Sequence, residues 1–283
     1  LDTKVSRKII KQTVMTTVYG VTRLGAQQQI LNRLIEVHET DGFNGPVERK
    51  DLSKMATYIA GLTFSSLGEN FRGATRSMAW LLRIARLVSS ESNVPVEWTT
   101  PLGWPVVQPY FRIESRRVKT VIHSMKVMEA SDLLHAQNNI RAPVQPYKQT
   151  QALPPNYVHS LDSSHMLRTA RACREAGLTF AAVHDSYWTH ACDMPRMSRI
   201  LREEFIALHE STDLARLYEQ LKNSYWCKLG IGNSCPGYAG IKNGPCRHVE
   251  GCRRVRWDET EDEPPSTGEL DINAVRESTY FFS

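Results

Sequence analysis

The 283-residue sequence predicts a helix-rich α+β protein, within the broad α/β class, and three observations carry that prediction. Long windows place apolar residues at helical spacing, short runs past the first third alternate apolar and polar residues, and Gly or Pro marks the joins. Apolar residues make up 41% and charged ones 23%, enough to bury a core and unlike the composition of disordered chains. The longest apolar runs, such as Leu178 to Val183, are far too short to span a bilayer, so no membrane partner is expected.

Val5 to Glu39 reads as helix from Ile9, Ile10, Val14 and Val18, with a break at Gly20. Asp41 to Pro46 is a loop. Helices follow over Leu52 to Leu67 and Phe71 to Val88, the latter with Met78, Leu81, Leu82 and Ala85 on one side. Val96 to Val107 reads as a hairpin turning at Pro101-Leu-Gly103. From Arg116 to Val127, Arg117, Lys119, His123 and Lys126 interleave with Val118, Val121 and Met125, a pattern for a ribbon with one wet, positive face. Pro154-Pro155 is predicted to open a helix that Gly177 closes. Leu178 to Val183, His184-Asp185-Ser186 and Tyr187 to His190 then read as strand, tight turn and strand, the carboxylate sitting between buried strands. Pro195 to Leu208 reads as helix. Residues 230–268 are rich in Gly, Pro and Cys and then acidic from Asp258 to Glu263, which predicts a surface insertion. No internal repeat is visible.

Lys and Arg outnumber Asp and Glu by 35 to 30, which permits a polyanionic partner without requiring one. Six cysteines are too few for a disulfide scaffold, so a reducing compartment is expected. The chain opens at Leu1 almost on top of its first motif, and an upstream portion is expected.

That motif is Arg7-x3-Lys11-x3-Met15-Thr16-x2-Tyr19-Gly20. Residues four apart stack along a helix face, so Arg7, Lys11, Met15 and Tyr19 should form a stripe roughly 18 Å long, about the reach of an extended nucleoside triphosphate. The cations suit phosphate oxygens, and a Tyr can stack near a base and offer its hydroxyl to a sugar. A lone Arg/Lys pair four apart is usually a solvated face, so the whole string carries the reading. The second motif, His184-Asp185-Ser186, puts a carboxylate on a tight turn, a rigid mount for a metal ligand. The third is Pro155-Asn-Tyr-Val-His-Ser-Leu-Asp162-Ser-Ser-His165.

Together and in this order, the three motifs resemble those of single-subunit, phage-type DNA-directed RNA polymerases, most closely the mitochondrial branch. The aromatic end Ser278-Thr-Tyr-Phe-Phe-Ser283 is similar to the foot that ends those enzymes. The resemblance implies a right-hand polymerase fold. Residues 1–150 would be fingers, with a specificity ribbon at 112–127. Residues 151–229 would be part of the palm, with the catalytic hairpin at 178–190, followed by the insertion at 230–268 and the foot at 269–283. It also implies DNA-templated nucleotidyl transfer from nucleoside triphosphates (NTPs) to an RNA 3′-end. Asp185 would be one of two carboxylates holding two Mg²⁺ ions. Arg7, Lys11, Met15, Tyr19, Gly20 and His165 would bind the nucleotide, with Lys11, Tyr19 and His165 also serving catalysis and His165 helping Tyr19 read the ribose 2′-hydroxyl. Arg112, Arg116, Arg117 and Lys119 would contact nucleic acid. Template DNA, nascent RNA and mitochondrial initiation factors are the implied partners, and the mitochondrial matrix the implied compartment. Family A DNA polymerases typically carry Phe at the place of Met15 and His-Asp-Glu at the hairpin, so Met15-Thr16 and His-Asp-Ser point toward ribonucleotides.

Two departures matter. Cys235, Cys246, His248 and Cys252 are separated by ten and five residues between the cysteines, with no C-x2-C knuckle, which argues against zinc. Only Asp185 matches a metal-binding position, since the family's first such Asp lies upstream of the Arg7 motif. Two readings therefore stand: a portion of an active nucleotidyltransferase, or a non-catalytic nucleotide- or nucleic-acid-binding remnant.

Overall fold

The computed structural model describes residues 6–17, 19–41, 48–91, 94–112, 115–119, 124–128, 144–183, 186–225, 262–279 and 281. The chain divides into two compact units, Leu1–Trp80 and Leu81–Ser283.

The first unit is helical: α1 (Arg7–Thr17), α2 (Arg23–Asp41), α3 (Arg49–Asn70) and the start of α4 (Arg72–Glu91). Ile9 from α1, Ile30, Leu31 and Leu34 from α2, and Leu52, Ala56, Ile59 and Ala60 from α3 form its core. The break at Gly20 is real and has a definite geometry. Gly20 takes φ +81°, Gly20 N–H donates to Thr17 O at 3.0 Å, and Val21 N–H reaches back to Thr16 O at 3.1 Å. These are the paired bonds of a Schellman ending, which needs the left-handed conformation that glycine adopts without a Cβ clash. Tyr19 consequently sits in the turn beyond α1. The predicted four-residue stripe is cut to Arg7, Lys11 and Met15, because the chain leaves the helix before the next repeat.

The second unit begins with the rest of α4, which buries Leu81, Ile84, Ala85 and Val88. Strands β1 (Glu97–Thr99) and β2 (Pro105–Val107) pair antiparallel, turning through Gly103 at φ +86° with Thr100 N–H donating to Trp104 O. Strands β3 (Ser115–Lys119) and β4 (Ser124–Met128) form a second antiparallel ribbon, with Arg116 opposite Val127 and Arg117 opposite Lys126.

Helix α5 runs from Pro146 to Glu175 and contains Pro154 and Pro155 in its interior. Its first-turn proline is Pro146, eight residues before the dipeptide expected to open it. The prolines remove two helical N–H donors, a cost normally sufficient to end a helix. Here the preceding turns are held from outside. The fully buried Gln149 donates through Nε2 to Gln108 O (2.9 Å) and Tyr110 O (3.3 Å). Its Oε1 accepts from Gln108 Nε2 (2.9 Å) and Val96 N–H (3.2 Å). Both buried amides are thereby satisfied. The same network fastens the residues after β2 to α5 within the second unit.

At its other end α5 closes with Gly177 at φ +71°, Gly177 N–H to Arg174 O (3.0 Å) and Leu178 N–H to Cys173 O (2.8 Å). Strands β5 (Ala181–Val183) and β6 (Ser186–Trp188) follow and pair with Val183 opposite Ser186. They are not buried as expected: Val183 and Trp188 face solvent, while Tyr187 packs with Phe180 on the core of Cys173, Leu178, Met197 and Leu201. Period-two alternation fits one packed face and one wet face equally well. Helix α6 (Met194–Glu210) covers this core, and α7 (Leu214–Tyr225), not anticipated from the sequence, returns to the first hairpin. There Tyr225 Oη donates to Pro95 O (2.8 Å) and accepts from Glu97 N–H (2.9 Å).

The predicted insertion lies outside the described residues except for its last positions. Of these Asp262, within the acidic run, is buried and ion-paired with Arg83 at 3.0 Å. Among the described residues no helix is long and apolar enough to cross a membrane.

Candidate functional site

Helix α1 is fixed in rotation by its inner face. Ile9 enters the core and Thr13 is fully buried. The hydroxyls of Thr13 and Thr16 both donate to Gln29 Oε1 of α2, at 3.2 and 3.1 Å. Lys8 reaches Glu36 of α2 at 3.4 Å; Arg33 first, and then Lys8, holds that carboxyl below its usual range. Burying that face turns the other outward by helical geometry. Arg7, Lys11 and Met15 are exposed, Met15 by 57%, and Tyr19 lies just past them at 37%. Among the described residues neither Arg7 nor Lys11 has an ion-pair or hydrogen-bond partner, in contrast to Lys8.

His165 lies in the second unit and is 5% exposed. Its Nε2 is 3.0 Å from the carbonyl of Leu201, which can only accept, so the proton sits on that nitrogen. Phe205 meets the ring edge-on at 5.6 Å, and Tyr187 of β6 lies 6.4 Å away. Burial lowers the His165 pKa, so the ring is neutral near pH 7. Phe205 also packs against Phe281 near the carboxyl terminus (5.0 Å) and against His209 (4.3 Å). Leu201, Phe205 and Phe281 are invisible to a reading of the His165 motif, because no local pattern links residues so far apart in sequence.

His184 and Asp185, the two residues joining β5 to β6, lie outside the described residues, as do the cysteines from Cys227 onward. Arg112 is exposed beyond β2; Arg116, Arg117 and Lys119 occupy β3. Among the described residues no three His, Cys, Asp or Glu side chains come together as a metal site. The described residues thus do not by themselves make a Mg²⁺ site; Asp185, the ligand expected from the sequence, lies outside them.

A model of the DNA-dependent RNA polymerase family matches residues 1–235. DNA-directed RNA polymerase 2A of Nicotiana tabacum is 46% identical over 226 residues, 80% of this chain and 63% of that protein. DNA-directed RNA polymerase 3, chloroplastic, of Nicotiana sylvestris is 46% identical over 222 residues, 78% of this chain and 21% of that protein. DNA-directed RNA polymerase 1B, mitochondrial, of Nicotiana tabacum is 39% identical along 100% of this chain, which covers 24% of it. The chain thus spans between a fifth and a quarter of most of these relatives.

Proposed function

Since this chain belongs to the DNA-dependent RNA polymerase family, we propose that it forms the nucleotide-handling part of an organellar polymerase that builds RNA on a DNA template. The observation that carries the reading is the outward face of α1. Two cations without partners among the described residues and an exposed Met are turned outward by a part-buried Thr–Gln contact on the opposite face. Fixed, unneutralised cations suit a triphosphate, because no internal ion pair has to be broken to bind it. By the resemblance of their motifs, Tyr19, at the end of that face, and His165 are the groups assigned to the sugar. Between mitochondrion and chloroplast we assign the mitochondrion, supported by the relative that aligns along the whole chain. Template DNA, nascent RNA, NTPs and initiation factors are the partners of this reading, with Arg112, Arg116, Arg117 and Lys119 toward DNA.

Mg²⁺ would lie on Asp185, where it would supply Lewis-acid stabilisation of phosphoryl oxygens. In a polymerase carrying these residues, Asp185→Asn should abolish RNA extension while leaving template binding nearly intact, since binding rests on many phosphate contacts. Lys11→Ala should instead lower kcat/KM for every NTP. Near wild-type extension by Asp185→Asn would refute the assignment of the hairpin.

A further inference from the structure

Helix α4 carries an unusual charge pattern. Its sequence, Arg72-Gly-Ala-Thr-Arg76-Ser-Met-Ala-Trp-Leu-Leu-Arg83-Ile-Ala-Arg86-Leu-Val-Ser-Ser-Glu91, has four arginines and no acid before its last residue. At about 100° per residue, Arg72, Arg76, Arg83 and Arg86 fall within an arc of about 80°, spread over about 21 Å of helix. Burial follows the same period: Arg76, Ala79, Arg83, Arg86 and Ser90 are exposed, and Trp80, Leu81, Ile84, Ala85 and Val88 are buried.

An ordinary solvated helix face interleaves acids that pair with its bases four residues away. This one does not. Arg83 is taken by the buried Asp262, but Arg72, Arg76 and Arg86 have no partner among the described residues. Arg72 also sits in the first turn, where the positive end of the helix dipole disfavours a cation and no acid offsets it. A local rule broken without internal compensation is a mark of an external ligand. The ligand must be an extended polyanion, because the free cations are strung along an axis and do not converge on one point. Arginine in place of lysine suits forked hydrogen bonding to phosphate oxygens.

We infer that the solvent face of α4, through Arg72, Arg76 and Arg86, is a contact surface for the sugar–phosphate backbone of nucleic acid. Phosphate charges repeat closely enough along a strand for a row of this length to meet several of them. The contact carries no base information and would position the nucleic acid without reading it. The inference extends the polymerase reading, but its readout needs neither nucleotide nor catalysis. It can therefore fail while Asp185→Asn behaves as proposed, and the reverse.

The test titrates residues 1–283 with a labelled DNA duplex, the matching RNA–DNA hybrid and the single strand, over a series of salt concentrations. The Arg72→Gln/Arg76→Gln/Arg86→Gln variant should bind each partner it contacts more weakly, whatever the sequence, with the log–log salt slope reduced by about two to three. The partner with the largest loss identifies the form of nucleic acid held. Replacing the same three with Lys should keep the slope, which separates lost charge from lost folding. A control changing Arg171, Arg174 and Arg199 to Gln removes equal charge from other exposed positions and should do much less. Unchanged slopes in the first variant, equal losses in the control, or loss confined to binding of anionic vesicles would overturn the inference.

Discussion

At the scale of single residues, the two side chains assigned to the sugar have opposite surroundings. Tyr19 is partly exposed in a turn that Gly20 dictates. His165 is enclosed by Leu201, Phe205 and Tyr187, and its ring geometry is set by a bond to a backbone carbonyl. The enclosure has a measurable consequence. Burial lowers the His165 pKa, and burial followed by the charge of His165 lowers that of His209. The unfolded chain titrates these rings near the usual value of about 6.5, so it binds more protons than the folded one as pH falls below that value. Stability contributed by the neutral rings is therefore complete above about pH 6.5 and is lost progressively below it. Urea midpoints at pH 7.5 and 5.5 should show a clear drop in the wild type and a smaller one in His165→Gln, whose amide can still donate to Leu201. Equal drops would place the acid sensitivity elsewhere.

At the scale of elements, legibility follows the range of the forces involved. The long helices α2, α3 and α4 are written in apolar spacing, and the ends of α1 and α5 in Gly20 and Gly177, because those signals are local. Helix α7 has a local signal too, in Leu214, Leu217, Tyr218, Leu221 and Tyr225, but it is only 12 residues long and follows a polar stretch. The start of α5 is different. Nothing near Pro154 says that the helix begins at Pro146, because Gln149 holds those turns through partners about 40 to 50 positions away in the chain, Gln108, Tyr110 and Val96. Gln149→Leu keeps the volume but strands the buried N–H of Val96 and leaves the carbonyls of Gln108 and Tyr110 without this donor. At roughly 1–3 kcal/mol for each unsatisfied group, and allowing for relaxation, it should destabilise the chain by about 3 kcal/mol. The urea midpoint should fall with little change in slope. A loss below about 1 kcal/mol would mean that packing, not this network, carries the helix through its prolines.

At the scale of the whole molecule, the question is whether the chain can do chemistry by itself, and its aspartates decide it. Templated nucleotidyl transfer by two metal ions requires at least two carboxylates at one place. Asp185 is one. The other aspartates whose side chains are described have structural tasks or stand apart. Asp51 pairs with Lys54 at 3.0 Å and Asp193 with Arg196 at 3.3 Å. Asp213 accepts from Arg216 N–H at 2.8 Å and so caps α7. Asp262 is buried against Arg83, and Asp271 accepts from Asn273 N–H at 2.9 Å, which holds its carboxyl below the usual range. Asp162 is exposed on α5, 4.0 Å from His159. Moving any of the paired ones to Asp185 would forfeit a cap or an ion pair, and Asp162 lies on a rigid helix. Purified residues 1–283, given an RNA primer on a DNA template, NTPs and Mg²⁺, should therefore bind the scaffold and extend nothing. Binding and extension separate the two outcomes cleanly, because phosphate contacts need no metal pair. Templated extension by this chain would require a second carboxylate at Asp185, and would show that residues 1–283 hold both metal-binding carboxylates.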